Sequence, residues 1–494
     1  MTGAVDSTTD LRVLFRSRHP LLVVEAADED RLLTLVRRVA AEASLPVWTW
    51  TAARGLARDG MAPQYRTAEP RTALAFVTDL TAPGVFVFCD AQSLLLDPVA
   101  VRAVKDAAGG ARPGQTIVLA GPGINIPPEL KGVALTWSLR PPSAEELVGL
   151  VNRTVHDLSS RGMAGGVDPG MEKELAETLR GLTLADAQHL LQQTLLADGG
   201  FSSGDLPRVR AAKMELLDSD GVLELVPATT GTLDRVAGLA GLKRWLDLRG
   251  RAIGSPRASA MGLDPPRGIL LTGVPGCGKS LVAKTLAATW GRPLLLLDPA
   301  RIYRKYVGES EQRLEAALRN AEAMAPAVLW IDEIEKGFAT GGDADRGVSV
   351  RLLGTFLRWM QDRPDGVFLV ATANDVSALP PEFLRKGRFD EVFFVDLPDP
   401  AARRAVFAVQ LSARHHDPAG FDLERLANAT AGFSGAEIEA VVVGALYRAF
   451  AASADLTTGD LLAEAASVVP LSVSRAEEIA ALRAWAAGRT VAAD

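Results

Sequence analysis

Residues 267–290 read RGILLTGVPGCGKSLVAKTLAATW. An apolar run gives way to a glycine-rich turn, and a helical pattern opens directly after it. Within it, GVPGCGKS (273–280) satisfies G-x-x-x-x-G-K-[ST] in the strand-to-helix context that the motif requires. Glycines 273, 276 and 278 admit backbone geometry and close approach that a side chain would obstruct, so successive N–H groups converge on phosphate at a helix N-terminus. The loop formed by Gly273, Val274, Pro275, Gly276, Cys277 and Gly278, continued by Lys279, Ser280 and Leu281, is therefore the expected cradle for ATP. Lys279 is expected to reach the β and γ phosphates, and Ser280 to ligate Mg2+. Cys277 fills a variable position where a small side chain is tolerated; a redox switch is the competing reading.

Outward from this loop, VLWIDE (328–333) is an apolar strand ending in two carboxylates, which brings both acids to the carboxyl edge of a parallel sheet beside the phosphates. Asp332 is expected to orient the magnesium, and Glu333 to act as general base on the attacking water. The following strand ends in ATAN, which puts Asn374 where a polar side chain helps position that water; a turn-capping asparagine is the alternative. Strand candidates in this half of the chain are 267–274, 293–299, 327–333, 367–374 and 391–398, and the pattern after Pro400 is helical, with capping boxes at Ser434/Glu437 and Ser474/Glu477.

The N-terminal half repeats the alternation, with strands at 20–26, 46–51, 84–91, 115–121 and 133–139, before helical patterns dominate 168–222. The chain thus predicts α/β sheet, helical lid, α/β sheet, helical lid. Its boundaries fall at 1–160, 161–228, 229–399 and 400–494. A length of 494 residues with 48% apolar and 23% charged content requires several cores and excludes disorder. A net charge of −7, from 53 basic and 60 acidic residues, gives no basic footprint for nucleic acid. Two cysteines suit a reducing cytoplasm, and no apolar run is long enough to span a bilayer. The five histidines form no metal spacing and no H-E-x-x-H occurs, which argues against a metallopeptidase.

With these residues in hand, Leu233 to Phe450 closely resembles the AAA ATPases, the group that includes the FtsH proteases, katanin and the proteasomal ATPases. KYVGESE (305–311) is similar to that group's central-loop segment, LRKGRFDEV (384–392) to its arginine-finger segment, and GFSGAEI (432–438) to the start of its lid helix. More narrowly, PPRGILLTG, VLWIDEIEKGF, ATANDVSALPPEFLRKGRFDEVFF and the N-terminal SRHPLLVVEAADEDR resemble an AAA family encoded in cyanobacteria and some plastid genomes, whose members pair a degenerate first ATPase module with an intact second one. The resemblance implies an α/β fold of two tandem P-loop-NTPase-like modules, each a five-stranded parallel α/β/α sheet followed by a small helical lid.

It further implies Mg-dependent ATP hydrolysis in a homo-oligomer, a hexameric ring that remodels a protein partner. In that reading Arg385 and Arg388 are arginine fingers reaching a neighbouring subunit's γ phosphate. Gly238 borders the adenine, and Gly435 and Ala436 close over the nucleotide. Tyr306 and Val307, preceded by Lys305, match the pore residues that grip an extended polypeptide; a tyrosine packed beneath the loop is the open alternative, as plain disorder is for a second pore loop at 339–347. A nucleotide-gated scaffold or switch with slow turnover and no threading is the competing function.

The first module is expected to be silent. Where its phosphate loop would lie, the chain reads AADEDR, with no glycine or lysine and three acids that repel a triphosphate. In VFVFCDA, Asp90 is expected to match Asp332, leaving Ala91 where the base would stand. GPGINIPPEL resembles ANDVSALPPEF and argues for duplication, and Trp48, Trp50 and Trp137 read as core.

Overall fold

The computed structural model describes residues 7–162, 168, 170–198, 201–217, 221–227, 231, 233, 236–253, 255–302, 309–338 and 346–494. The chain divides into two units, Met1–Ser203 and Gly204–Asp494.

In the first unit, strands β1 (Leu21–Glu25), β2 (Val47–Thr51), β3 (Gly55–Arg58), β4 (Gly84–Phe88), β5 (Gln115–Gly121) and β6 (Ala134–Ser138) form one sheet in the order β3-β2-β4-β5-β1-β6. All neighbours are parallel except β3, which returns antiparallel on β2. Side chains alternate between two cores, as a strand's two-residue period requires. Leu21, Val23, Phe86, Phe88, Ile117 and Leu119 enter one, and Leu22, Val24, Val85, Val87 and Val118 the other. Trp48 and Trp50 are buried there, with Trp50 donating its indole N–H to Thr67 O at 2.7 Å, and Trp137 packs against the second core. The helices Ala144–Ser160, Met171–Leu179 and Leu184–Asp198 follow the sheet.

The second unit repeats the plan. Strands β7 (Leu223–Val226), β8 (Gly268–Gly273), β9 (Leu294–Leu297), β10 (Ala327–Ile331), β11 (Val367–Ala373), β12 (Glu391–Val395) and β13 (Val491–Ala492) take the order β13-β12-β8-β11-β10-β9-β7. Every residue of β8, β10 and β11 is buried, the pattern of a parallel sheet covered on both faces. The five expected strands run β12-β8-β11-β10-β9, the same order as β6-β1-β5-β4-β2 in the first unit. The two sheets are topological copies. The duplication extends to the turn after the fourth strand of each set, where Leu130 N–H bonds Pro127 O at 3.0 Å and Phe383 N–H bonds Pro380 O at 3.1 Å.

The expectation of five strands per sheet falls short at the edges. β3 and β7 add antiparallel edges and β13 a short parallel one, which makes six and seven strands. Strands this short carry little periodic signal. β7 and the helix Leu206–Leu217 lie in a segment read as helical linker, yet Met214, Val222 and Leu223 enter a core of the second sheet. The capping box at Ser434/Glu437 is present, whereas Ser474 ends a short helix and Arg475 opens the next without a side-chain cap. Pro470, just before that short helix, interrupts the pattern that made Ser474 look like a cap. The helices Pro400–Ser412, Leu423–Ala429, Gly435–Ala451 and Thr458–Ser467 close over their own core of Phe407, Leu411, Leu426, Ile438, Val441 and Leu461.

Candidate active site

Because β8, β10 and β11 are parallel neighbours, the loops that follow them emerge at one edge of the second sheet. They enclose a cleft of about 280 Å³ walled by Lys279, Ser280, Asp332, Glu333, Thr372 and Asn374 together with the glycine loop. Gly276 has φ +76°, and a Cβ there would lie 3.1 Å from both Ala436 Cβ and Ser434 Oγ, so only glycine lets the loop and the helix Gly435–Ala451 approach this closely. Ala436 N–H donates to Gly276 O at 3.0 Å, which brings that helix start onto the loop.

Lys279 opens the helix Lys279–Thr289 and is 6% exposed. Its Nζ donates to Gly273 O at 2.8 Å and Val274 O at 3.0 Å, both carbonyls of its own loop. Burial pushes the amine down to about 8. Its hydrogen-bond partners are neutral carbonyls, and the nearby Glu335, Asp332 and Glu333 carboxylates offset the burial only in part, a situation that an anion relieves. The cradle therefore fits a polyphosphate. Cys277 has its thiol pushed up to about 12 by burial, which keeps it protonated and a poor nucleophile and disfavours the redox reading.

The acids form a second layer. Ser280 Oγ donates to Asp332 Oδ1 at 2.9 Å, bringing the two expected magnesium ligands together. Glu333 has φ +50° and receives Asn374 Nδ2 on Oε1 at 2.8 Å. Lys336 pairs with its other oxygen, Oε2, and this bond, aided by Asn374, holds the Glu333 carboxyl below the usual carboxylate range. The group is ionised, the state that a general base needs.

Three residues at the site escaped the sequence reading. Thr372 donates to Asp332 Oδ1 at 2.5 Å and accepts Glu333 N–H at 2.9 Å. Buried Glu335 accepts the N–H groups of Asn374 at 2.9 Å and Asp375 at 3.2 Å on Oε1 and so fixes the turn that carries Asn374. Lys336 is the third. Thr372 was findable, since two residues before Asn374 on a strand is the same face, and Lys336 stands three after Glu333. Glu335 carried no such signal, because its partners are backbone groups.

Other expected residues lie apart from the cleft wall. Gly238, with φ +65°, packs against Ala402 and Asp494. Arg385 is exposed, and the half-buried Arg388 donates from its guanidinium to Leu357 O. Lys305, Tyr306 and Val307, and 339–345 of the expected second pore loop, lie outside the described residues.

The corresponding edge of the first unit differs in kind. Only residues 26–28 separate β1 from the helix Glu29–Glu42, against 274–278 in the second unit. Asp28 caps that helix: its carboxylate accepts Arg31 N–H at 3.0 Å and Leu184 N–H at 2.9 Å. An acid thus occupies the helix start where the second unit presents its loop. After β4 the expected alignment is off by one. β4 ends at Phe88 and β10 at Ile331, so Cys89 corresponds to Asp332 and Asp90, with φ +51°, to Glu333. Ala91 therefore begins the helix rather than replacing the base. Burial pushes the Cys89 thiol up to about 12, which leaves a neutral group in the place of the Asp332 carboxylate.

Four family models match the chain. The ATPase family associated with various cellular activities (AAA) matches 269–397, an AAA+ lid domain 420–463, a SpoVK-like AAA ATPase N-terminal domain 7–138, and a SpoVK-like second domain 145–220. The AAA domain-containing protein ycf46 of Pyropia yezoensis is 32% identical over 485 residues, covering 97% of each chain. That of Guillardia theta is 33% identical over 484 residues, 97% of this chain and 94% of the relative. The proteasome-activating nucleotidase of Aeropyrum pernix is 33% identical across 220 residues, 44% of this chain and 54% of that protein. From end to end, in its two copied sheets and in the lid of the second, the chain belongs to the AAA ATPase family.

Proposed function

We propose that the second unit binds ATP with Mg2+ and hydrolyses it, and that the chain assembles into a ring, a hexamer, that remodels a protein partner. The observation that carries the reading is the convergence on one cleft of a buried Lys279, the Ser280–Asp332 pair and the Glu333–Asn374 pair. Lys279 supplies the charge that offsets the phosphates. Ser280 and Asp332 would hold the Mg2+, which when bound would supply Lewis-acid stabilisation of charge on the phosphates. Glu333 Oε1, oriented by Asn374, accepts the proton of the attacking water. Arg385 and Arg388 act in trans; the exposed Arg385 is the freer of the two to reach a neighbouring subunit. Gly435 and Ala436, carried on the helix that touches the loop, close the lid. Lys305, Tyr306 and Val307 grip the client. The first unit, with its helix start capped by Asp28, is a scaffold that binds no nucleotide.

A slow nucleotide-gated switch is the second reading, and the Lys336–Glu333 ion pair favours it, because a base already engaged by a cation is a poorer one. Both readings place the work in the cytoplasm, with two free cysteines, no partner nucleic acid and no membrane; among the described residues no helix is long and apolar enough to cross one. Steady-state hydrolysis by wild type and Glu333→Gln tests the site: the variant is expected to retain ATP while turnover falls by about 10²-fold or more. Equal rates in the two proteins contradict the assignment.

A further inference from the structure

Building on that hydrolytic reading, we propose that Thr372 is a positioning residue that fixes Asp332 and Glu333 relative to each other through one hydroxyl. Thr372 is 2% exposed in β11, and the β10–β11 register pairs Ile331 with Ala371, so the next residue on each strand, Asp332 and Thr372, come opposite at the cleft edge. Its Oγ1 donates to Asp332 Oδ1 at 2.5 Å and accepts the Glu333 backbone N–H at 2.9 Å. One side chain thereby touches both acid residues, each through a different half of its hydrogen-bonding capacity.

The two bonds do different work. Asp332 Oδ1 also receives Ser280 Oγ at 2.9 Å, so Thr372 and Ser280 hold the carboxylate from two sides, one from β11 and one from the glycine-loop helix. Glu333 has φ +50°, a left-handed conformation disfavoured for a residue with a side chain. Capture of its N–H by Thr372 holds that conformation and directs the carboxylate to Asn374 Nδ2 at 2.8 Å. Loss of the hydroxyl would release both constraints while leaving Lys279 and the loop backbone untouched. Serine preserves both halves of the function. Valine preserves shape and neither half.

The test uses the full-length protein carrying Thr372→Val or Thr372→Ser. The valine variant is expected to lose about 10- to 100-fold in kcat, the scale for residues that orient metal-site ligands, with KM for ATP within about threefold of wild type. The serine variant is expected to keep kcat within about threefold. A readout independent of turnover is amide hydrogen exchange in the nucleotide-free protein: exchange of the Glu333 amide should accelerate about tenfold or more in the valine variant and not in the serine variant, while β11 amides at Leu369 and Val370 stay protected in both. Wild-type kcat in the valine variant, equal losses in the two variants, or an unchanged Glu333 amide each overturns the proposal. A wild-type protein that does not turn over ATP overturns the hydrolytic reading instead, and the exchange result then decides alone whether Thr372 holds the pair.

Discussion

Raising the pH should weaken nucleotide binding through one identified proton. Lys279 in the ligand-free protein is pushed down to about 8 by burial, which the nearby Glu335, Asp332 and Glu333 carboxylates offset only in part. A bound polyphosphate places opposite charge beside it and raises the pKa again. Below pH 8 the lysine is protonated before and after binding, so affinity is flat. Above pH 8 the free protein has lost the proton and the complex must recover it, so affinity falls by up to about tenfold, ~1.4 kcal/mol, per pH unit. Between pH 7.5 and 9.5 the dissociation constant for ADP should rise roughly 25-fold, and at pH 8.5 each binding event should take up about 0.8 proton. Calorimetric titration in buffers of different ionisation enthalpy measures that uptake directly. ADP is the suitable probe because its terminal phosphate is fully ionised throughout this range. A dissociation constant that is level to pH 9.5, or proton release on binding, would refute the reasoning and mean that Lys279 does not meet the phosphates.

Three further outcomes are expected, the first two from the geometry and the third from the sequence. Lys336→Ala frees the Glu333 carboxylate from its cation and should raise basal ATP turnover up to about fivefold, the range of an exposed ion pair; a fall in turnover would show that Lys336 assists the base. Asp28→Ala removes acceptors for Arg31 N–H and Leu184 N–H and should destabilise the first unit by about 1 kcal/mol in denaturant unfolding, with ATP affinity unchanged; a weakened ATP affinity would contradict the separation of roles between the units. Tyr306→Ala should abolish remodelling of a client while sparing basal hydrolysis, and an undiminished remodelling rate would favour the switch reading.

Much of this was legible in the chain because the chemistry is local. The loop 273–280 and the acids at 332 and 333 announce themselves through residue types fixed by short spacing, and the five expected strands of each sheet are apolar runs. What escaped was non-local or short. β7 and β13 exist only through pairing with β9 and β12. Thr372 and Glu335 act through bonds spanning about forty residues, to Asp332 and to the backbone of Asn374. The one-residue misalignment at Cys89 and Asp90 has a plain origin: an aspartate looks like the match for an aspartate, and only the strand end, with the left-handed φ of +51° at Asp90 and +50° at Glu333, sets the true correspondence. Sequence presents the acids of AADEDR as repelling a triphosphate; that one of them, Asp28, also caps the helix start and through the same carboxylate binds Leu184 N–H depends on a residue far along the chain.

The most direct measurement is calorimetric titration of the full-length protein with a non-hydrolysable ATP analogue and Mg2+, beside the Lys279→Ala variant. One site per chain in wild type and none in the variant is the predicted result. Two sites per chain, or binding that survives loss of Lys279, would contradict it.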